Sequence, residues 1–276
     1  LERLRLLRSR LRPCRRRRLR LRCLRAAQRR GTAGGLGQRC AWLRCLHTLQ
    51  QPQQRAEHAR LEQALVFLRA EGIKTIVCTG DIVDGPGCPN QSIELLMAYG
   101  VKTVAGNHDR WLLENKVRHL PMAHHKADLS VQSLNYLQRL NKTESINCHG
   151  QRLLLCHGMG DRDLGKAWPG TDAMPIERSV TLDAIIKAEQ HDWLINGHLH
   201  FRTIMAFKTL TVINAGTLTG HRWPCFSVLD LDEKSVQAFE FTPQGVQPAI
   251  ALKVPTQPEW QDTQSFQGDW EPLVLF

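Results

Sequence analysis

The sequence predicts an α/β fold for the body of the chain, and three observations carry that expectation. From residue 56 to about residue 140, short β-branched runs alternate with amphipathic helical stretches. Such alternation makes βαβ units and a largely parallel sheet. Several apolar runs end abruptly in a small polar cluster, which places those clusters together at one edge of a sheet. The apolar share is 42% over 276 residues, enough for a sizeable core.

Taken in order, the first 45 residues are rich in Arg, Leu and Cys, with Arg15–Arg18 as a run of four. Like-charge repulsion disfavours a packed core there. Residues 1–55 hold 17 Arg and a single acidic residue, Glu2, for a net +16. The remainder holds 20 Lys and Arg against 25 Asp and Glu, so the formal +11 of the whole chain hides a body at −5. Any nucleic-acid partner therefore belongs to residues 1–55 alone. Three readings of this stretch stand side by side: a solvated arm, an Arg-rich transit peptide, and sequence outside the native reading frame.

Beyond the arm, Ala59–Ala70 reads as a helix with Leu61, Ala64, Leu65 and Leu68 on one face, stopped by Gly72. Lys74–Thr79 is a buried strand, Ser92–Tyr99 a helix, Val101–Ala105 a second strand and Asp128–Leu140 a further helix. The texture then becomes strand-rich: Arg152–Cys156, Trp193–Ile195, Phe201–Phe207, Thr209–Ile213, Cys225–Asp230 and Ser235–Phe241, with a helix at Glu177–Glu189. Residues 246–276 read as a loose tail rich in Pro and Gln, leaving 56–245 as the expected domain.

Four polar clusters follow these strands. Gly80-Asp81-Ile82-Val83-Asp84 sets a carboxylate at the strand end, where glycine permits a tight turn. In Gly106-Asn107-His108-Asp109, Asn107 offers a neutral oxygen and His108 is a candidate acid. Asp109 is the expected orienter of its imidazole. Cys156-His157-Gly158 adds one imidazole, and Asn196-Gly197-His198-Leu199-His200 adds two at i and i+2. Singly, each fits an ordinary turn or surface histidine. Jointly they make a mixed N/O donor set for divalent cations, of the kind that clamps both oxygens of a displacement at phosphorus.

The order Gly-Asp-x-x-Asp, Gly-Asn-His-Asp, His, Gly-His-x-His over roughly residues 56–245 resembles the calcineurin-like metallophosphoesterases. The ending Asn214-Ala215-Gly216-Thr217 is similar to the small bacterial phosphodiesterase branch. The resemblance implies a sandwich of two mixed β-sheets flanked by helices. It implies two divalent metal ions (Mn, Fe, Zn, Ni or Co) and a phosphate-ester substrate, diester or monoester. Asp81 would bridge the metals, with Asn107, His157 and His198 on the second and His200 on the first. His108 would protonate the leaving group. The family's first motif, Asp-x-His at the end of the first strand, is missing, because residues 1–55 contain no Asp. The nearest analogue is Cys45-Leu46-His47, whose thiolate and imidazole are competent ligands. An incomplete site would leave a metal-binding or scaffolding protein instead.

Other classes are disfavoured. No Gly-x-Ser-x-Gly elbow or P-loop occurs. No run of about 18 uncharged apolar residues is present, so no membrane span is expected. The nine cysteines are scattered and odd in number, without C-x-x-C spacing. That pattern suits reduced thiols and a cytoplasmic location.

Overall fold

The computed structural model describes residues 39–43, 57–218 and 223–274. Its frame is two six-stranded sheets, and the strands come from both ends of the described chain.

The first sheet is built around β1 (Arg39–Leu43). It pairs in parallel with β2 (Thr75–Cys78), which pairs in parallel with β3 (Lys102–Thr103). On its other side β1 meets β9 (Cys225–Asp230) antiparallel. The antiparallel strands β10 (Ser235–Thr242) and β11 (Gly245–Lys253) follow. In the second sheet, β5 (Gln151–Cys156), β6 (Trp193–Asn196) and β8 (Thr211–Ala215) run parallel. Antiparallel β4 (Thr143–Cys148) lies on one side of them, with β7 (Arg202–Ala206) and β12 (Leu273–Val274) on the other. The expectation of a largely parallel sheet is thus corrected. Parallel pairing is confined to three neighbouring strands in each, and both sheets are mixed.

Strand alternation sorts side chains into layers. In β2, Val77 faces the space between the sheets, where it meets Leu153 and Leu155 of β5 and Ile195 of β6. Its neighbours Ile76 and Cys78 face outward onto the helices α1 (Glu57–Ala70) and α2 (Pro89–Ala98). Leu154 and Cys156 face the opposite flank, under α5 (Val180–Ala188). The helices end where the sequence allows a left-handed residue. Gly72 at φ 74 and Gly100 at φ 62 close α1 and α2. In each case the following N–H returns to the last turn, Ile73 to Leu68 and Val101 to Leu96. Helix α4 (Val131–Gln138) begins three residues later than expected, because the Ser130 side chain caps it by accepting from the Ser133 N–H.

Two boundaries move. Residues 39–43, assigned by composition to the arm, form the central strand of a sheet, so the limit at 55 is too late. Residues 246–276, read as a loose tail, hold most of β11 and all of β12. Pro248 is tolerated in β11 because that strand lies at the sheet edge, beside a register shift between Gln237 and Phe239. Among the described residues, no helix is long and apolar enough to cross a membrane.

Candidate active site

The three parallel strand ends β2, β5 and β6, with the turn after β3, bring the polar clusters together. Beyond β2 the backbone reverses sharply, with Gly80 at φ 84 and Asp81 at φ 58. Gly80 is required by packing as well as conformation. A Cβ there would lie 2.5 Å from the Gly106 nitrogen and 2.6 Å from the Val104 oxygen. Gly106 is held as tightly, since its Cβ would lie 2.1 Å from Asp81 Oδ1. The two glycine turns therefore pack back to back and carry Asp81 and Asn107 side by side.

Asp109 fastens this arrangement. Its Oδ2 accepts from the Asp81 N–H at 2.8 Å and the Gly106 N–H at 2.9 Å. Its Oδ1 accepts from Ile82 at 2.8 Å and Val83 at 3.2 Å. The carboxylate is fully buried. Burial first, and then the neighbouring Asp81 charge, push its pKa upward against the pull of those backbone donors.

The expected pairing of Asp109 with His108 is therefore corrected. The imidazole Nδ1 of His108 lies 2.8 Å from Asp84 Oδ2 instead. Asp84 also takes both guanidinium nitrogens of Arg118, at 2.8 and 2.9 Å, and the His124 N–H at 2.8 Å. Burial works to raise the Asp84 pKa, but His108, Arg118 and the His124 amide outweigh it and hold the carboxyl below its ordinary value. Asp84, Arg118 and His124 are the site residues the sequence reading missed. The signal available was the second Asp of Gly80-Asp81-Ile82-Val83-Asp84, quoted without a role.

His157 supplies the centre of the cluster. Its Nδ1 is 2.6 Å from the Thr79 carbonyl oxygen, so Nδ1 carries the hydrogen. Its Nε2 is 3.0 Å from Asn107 Oδ1 and 3.0 Å from Asp81 Oδ2. His198 Nδ1 approaches the same Asn107 oxygen at 3.1 Å. Lone pairs facing one another in a buried place are unfavourable unless a proton or a cation sits among them. The donor set accordingly fits a divalent cation with mixed N/O ligands. Among the described residues, no group of three His, Cys, Asp or Glu side chains forms a cage by itself, so the fit depends on the Asn107 amide oxygen.

His198 and His200 have φ of 56 and 64, and the Leu199 N–H returns to the Gly197 oxygen at 2.6 Å. Left-handed histidines in so tight a turn are strained, as is common where side chains are aimed for function. The structure joins Asp81, Asn107, His157 and His198 directly and sets His200 on the same turn. Cys45 and His47 lie outside the described residues.

The profile of the calcineurin-like phosphoesterase superfamily domain matches residues 41–234. The chain belongs to that superfamily. An uncharacterized protein, MJ0912 of Methanocaldococcus jannaschii, is 29% identical over 110 residues, a match covering 36% of this chain and 45% of that relative. The chain thus spans under half the length of that curated relative. Among solved structures, hypothetical protein PH1004 of Pyrococcus horikoshii superposes with a TM-score of 0.52 at 15% identity, over 79% of this chain and 88% of its own. The phosphoesterase YfcE of E. coli gives 0.46 at 14% identity, over 79% and 100%. The superfamily's two mixed sheets and flanking helices are the architecture found here.

Proposed function

We propose that this chain hydrolyses a phosphate ester, diester or monoester, with two divalent cations held by Asp81, Asn107, His157, His198 and His200. The observation that carries the reading is His157 Nε2 lying 3.0 Å from both Asp81 Oδ2 and Asn107 Oδ1, with its other nitrogen fixed by a carbonyl. Divalent cations in such sites neutralise phosphoryl charge and lower the pKa of a water. The chain's own residues do the rest. Thr79 fixes the tautomer of His157, which turns its Nε2 to the cluster. Asp109 locks the two turns, so Asp81 and Asn107 keep their spacing. Asp84 engages Nδ1 of His108, leaving Nε2 as the nitrogen that gives a proton to the departing alkoxide.

Cys45 and His47 come two and four residues after β1 in sequence, near where the family's Asp-x-His stands, and would complete the first cation's shell in this reading. A cation-binding or scaffolding protein without turnover is the second reading. It is favoured by the missing Asp-x-His motif, since residues 1–55 contain no Asp. Nucleic-acid binding through the basic residues 1–55 is the remaining alternative, on their net charge of +16. A cytoplasmic location is supported by the six described cysteines, all free thiols.

The test is hydrolysis of bis-p-nitrophenyl phosphate by metal-stripped protein with and without Mn²⁺, beside His108→Ala. Turnover that requires Mn²⁺ and falls by roughly 10²-fold or more in the variant is expected. A folded protein with no turnover above the Mn²⁺ blank would overturn the hydrolase reading and leave the second.

A further inference from the structure

Arg118 belongs to none of the polar clusters that follow the strands. It sits in the connection of residues 115–125, which follows α3 (Asn107–Glu114). That connection holds three left-handed residues, Asn115 at φ 55, Val117 at φ 54 and Met122 at φ 61. The conformation is costly for a β-branched valine and persists only where the surroundings over-determine it. The Asp84 turn supplies such surroundings. The Gly85 N–H reaches the Met122 carbonyl oxygen at 3.2 Å. The Asp84 N–H reaches His124 Nδ1 at 2.9 Å, and the His124 N–H returns to Asp84 Oδ1.

The guanidinium of Arg118 is itself anchored to this connection. Its Nε donates to the Lys116 carbonyl oxygen at 2.7 Å, and Nη1 donates to that of His124 at 2.6 Å. The Arg118 side chain is 8% exposed and that of Asp84 is fully buried. Nη1 and Nη2 each take one oxygen of the Asp84 carboxylate, which sets the plane of the carboxyl group. In that plane Oδ2 faces His108 Nδ1. The imidazole also meets the Trp111 ring edge-on, with centroids 4.8 Å apart. A lysine could not replace the fork, because a single ammonium does not fix the plane of a carboxylate.

We propose that Arg118 is a positioning residue for the proton donor: by fixing the plane of Asp84, it holds the His108 imidazole so that Nε2 is aimed at the leaving group. The proposal rests on the phosphoesterase reading for the proton that His108 gives. In that step the bond from phosphorus to the leaving oxygen breaks, and the leaving oxygen takes the Nε2 proton. Water supplies the hydroxide that stays on phosphorus and the proton that restores Nε2. Arg118 acts through Asp84 and His108, so its effect on turnover must vanish when the imidazole is absent. An arginine that only staples the connection would act equally with and without it.

The experiment is a double-mutant cycle on the full chain, Arg118→Met and His108→Ala singly and together, with Mn²⁺ and bis-p-nitrophenyl phosphate. Arg118→Met should lower kcat roughly tenfold or more, with KM and Mn²⁺ affinity near native. In the His108→Ala background the same change should cost less than about twofold. Arg118→Lys keeps the charge and loses the fork, so it should also lose kcat while sparing the fold. Equal losses in the two backgrounds, native kcat in Arg118→Lys, or unfolding of both Arg118 variants would overturn the proposal. A second readout needs no turnover. Proton NMR of the metal-free chain, labelled at His and Trp, should show cross-peaks between the rings of His108 and Trp111 and between those of His157 and His198. Arg118→Lys should lose the first set and keep the second. Loss of both sets means a general disturbance of the site, and loss of neither means a dispensable fork, so either result counts against the proposal. The two readings therefore fail separately. A native protein without turnover, whose His108 cross-peaks alone depend on Arg118, sinks the hydrolase and leaves Arg118 as the orienter of the ring. Turnover with both sets kept in Arg118→Lys sinks the positioning role alone.

Discussion

At Asp84 four nitrogens from three groups meet one buried carboxylate, and two consequences follow. Asp84→Asn removes the charge that Arg118 faces, and an uncompensated buried guanidinium costs about 3 kcal/mol or more. The same change loosens His108, so kcat should drop even at a temperature where the variant is fully folded. Urea melts and steady-state rates measured together separate the two effects. The pH dependence has a definite sign. A carboxyl whose folded pKa lies below its unfolded value of 3.8 contributes stability that is present above that value. The contribution is lost as pH falls through the lower folded value. Melts across the acid range should therefore show a steeper acid loss for the native protein than for Asp84→Asn, and equal slopes would contradict it. Gly106→Ala is the other residue-scale case. Its new Cβ would lie 2.1 Å from Asp81 Oδ1, so Asp81 must move. Calorimetry should then find Mn²⁺ binding abolished or greatly weakened.

Among the elements, the parts that escaped sequence reading did so for identifiable reasons. Helix α3 (Asn107–Glu114) was not expected, because its first turn is the polar cluster Asn107-His108-Asp109 itself. Strand β1 begins at Arg39 and is followed by Arg44, and the surrounding composition concealed an apolar run of four. Strand β4 buries only Ile146 and Cys148 of its six residues, and β11 carries a proline and a polar edge. By contrast, β2, β5, β6 and β9 are apolar runs bounded by turn residues, and their positions were legible to within a residue or two. The polar clusters were legible because each stands within a few residues of the end of such a run or of β3, whereas Asp84 lies deeper inside its turn. If β11 is structural, ending the chain at residue 244 leaves β10 paired with β9 alone and uncovers the β10 edge beside Phe239 and Phe241. That truncation should aggregate and lose its cooperative melt, while a soluble product with native near-UV circular dichroism would argue the reverse. Between the sheets, Leu155→Ala should cost about 3 kcal/mol, read from chemical denaturation, because the site is closed on both sides.

For the molecule as a whole, the position of β1 sets where the N-terminal stretch can be cut. Deleting residues 1–38 removes 14 of the 17 arginines before residue 56 yet keeps β1. If the arm binds nucleic acid, that affinity, with its steep salt dependence, should vanish while turnover and melting remain. Deleting residues 1–55 takes out the strand between β2 and β9, and a folded product from that deletion would contradict the topology. The same strand has a consequence in time. Arg39 stands opposite Asp230 in the register, 191 positions away along the chain. At synthesis rates of about 5–20 residues per second, β1 leaves the ribosome roughly 10–40 s before its antiparallel neighbour exists. Such distant pairing makes for slow folding. During that interval one flank of the nascent sheet is an unpaired edge, and refolding yield in vitro should fall with protein concentration more steeply than for a protein of its size built from local contacts.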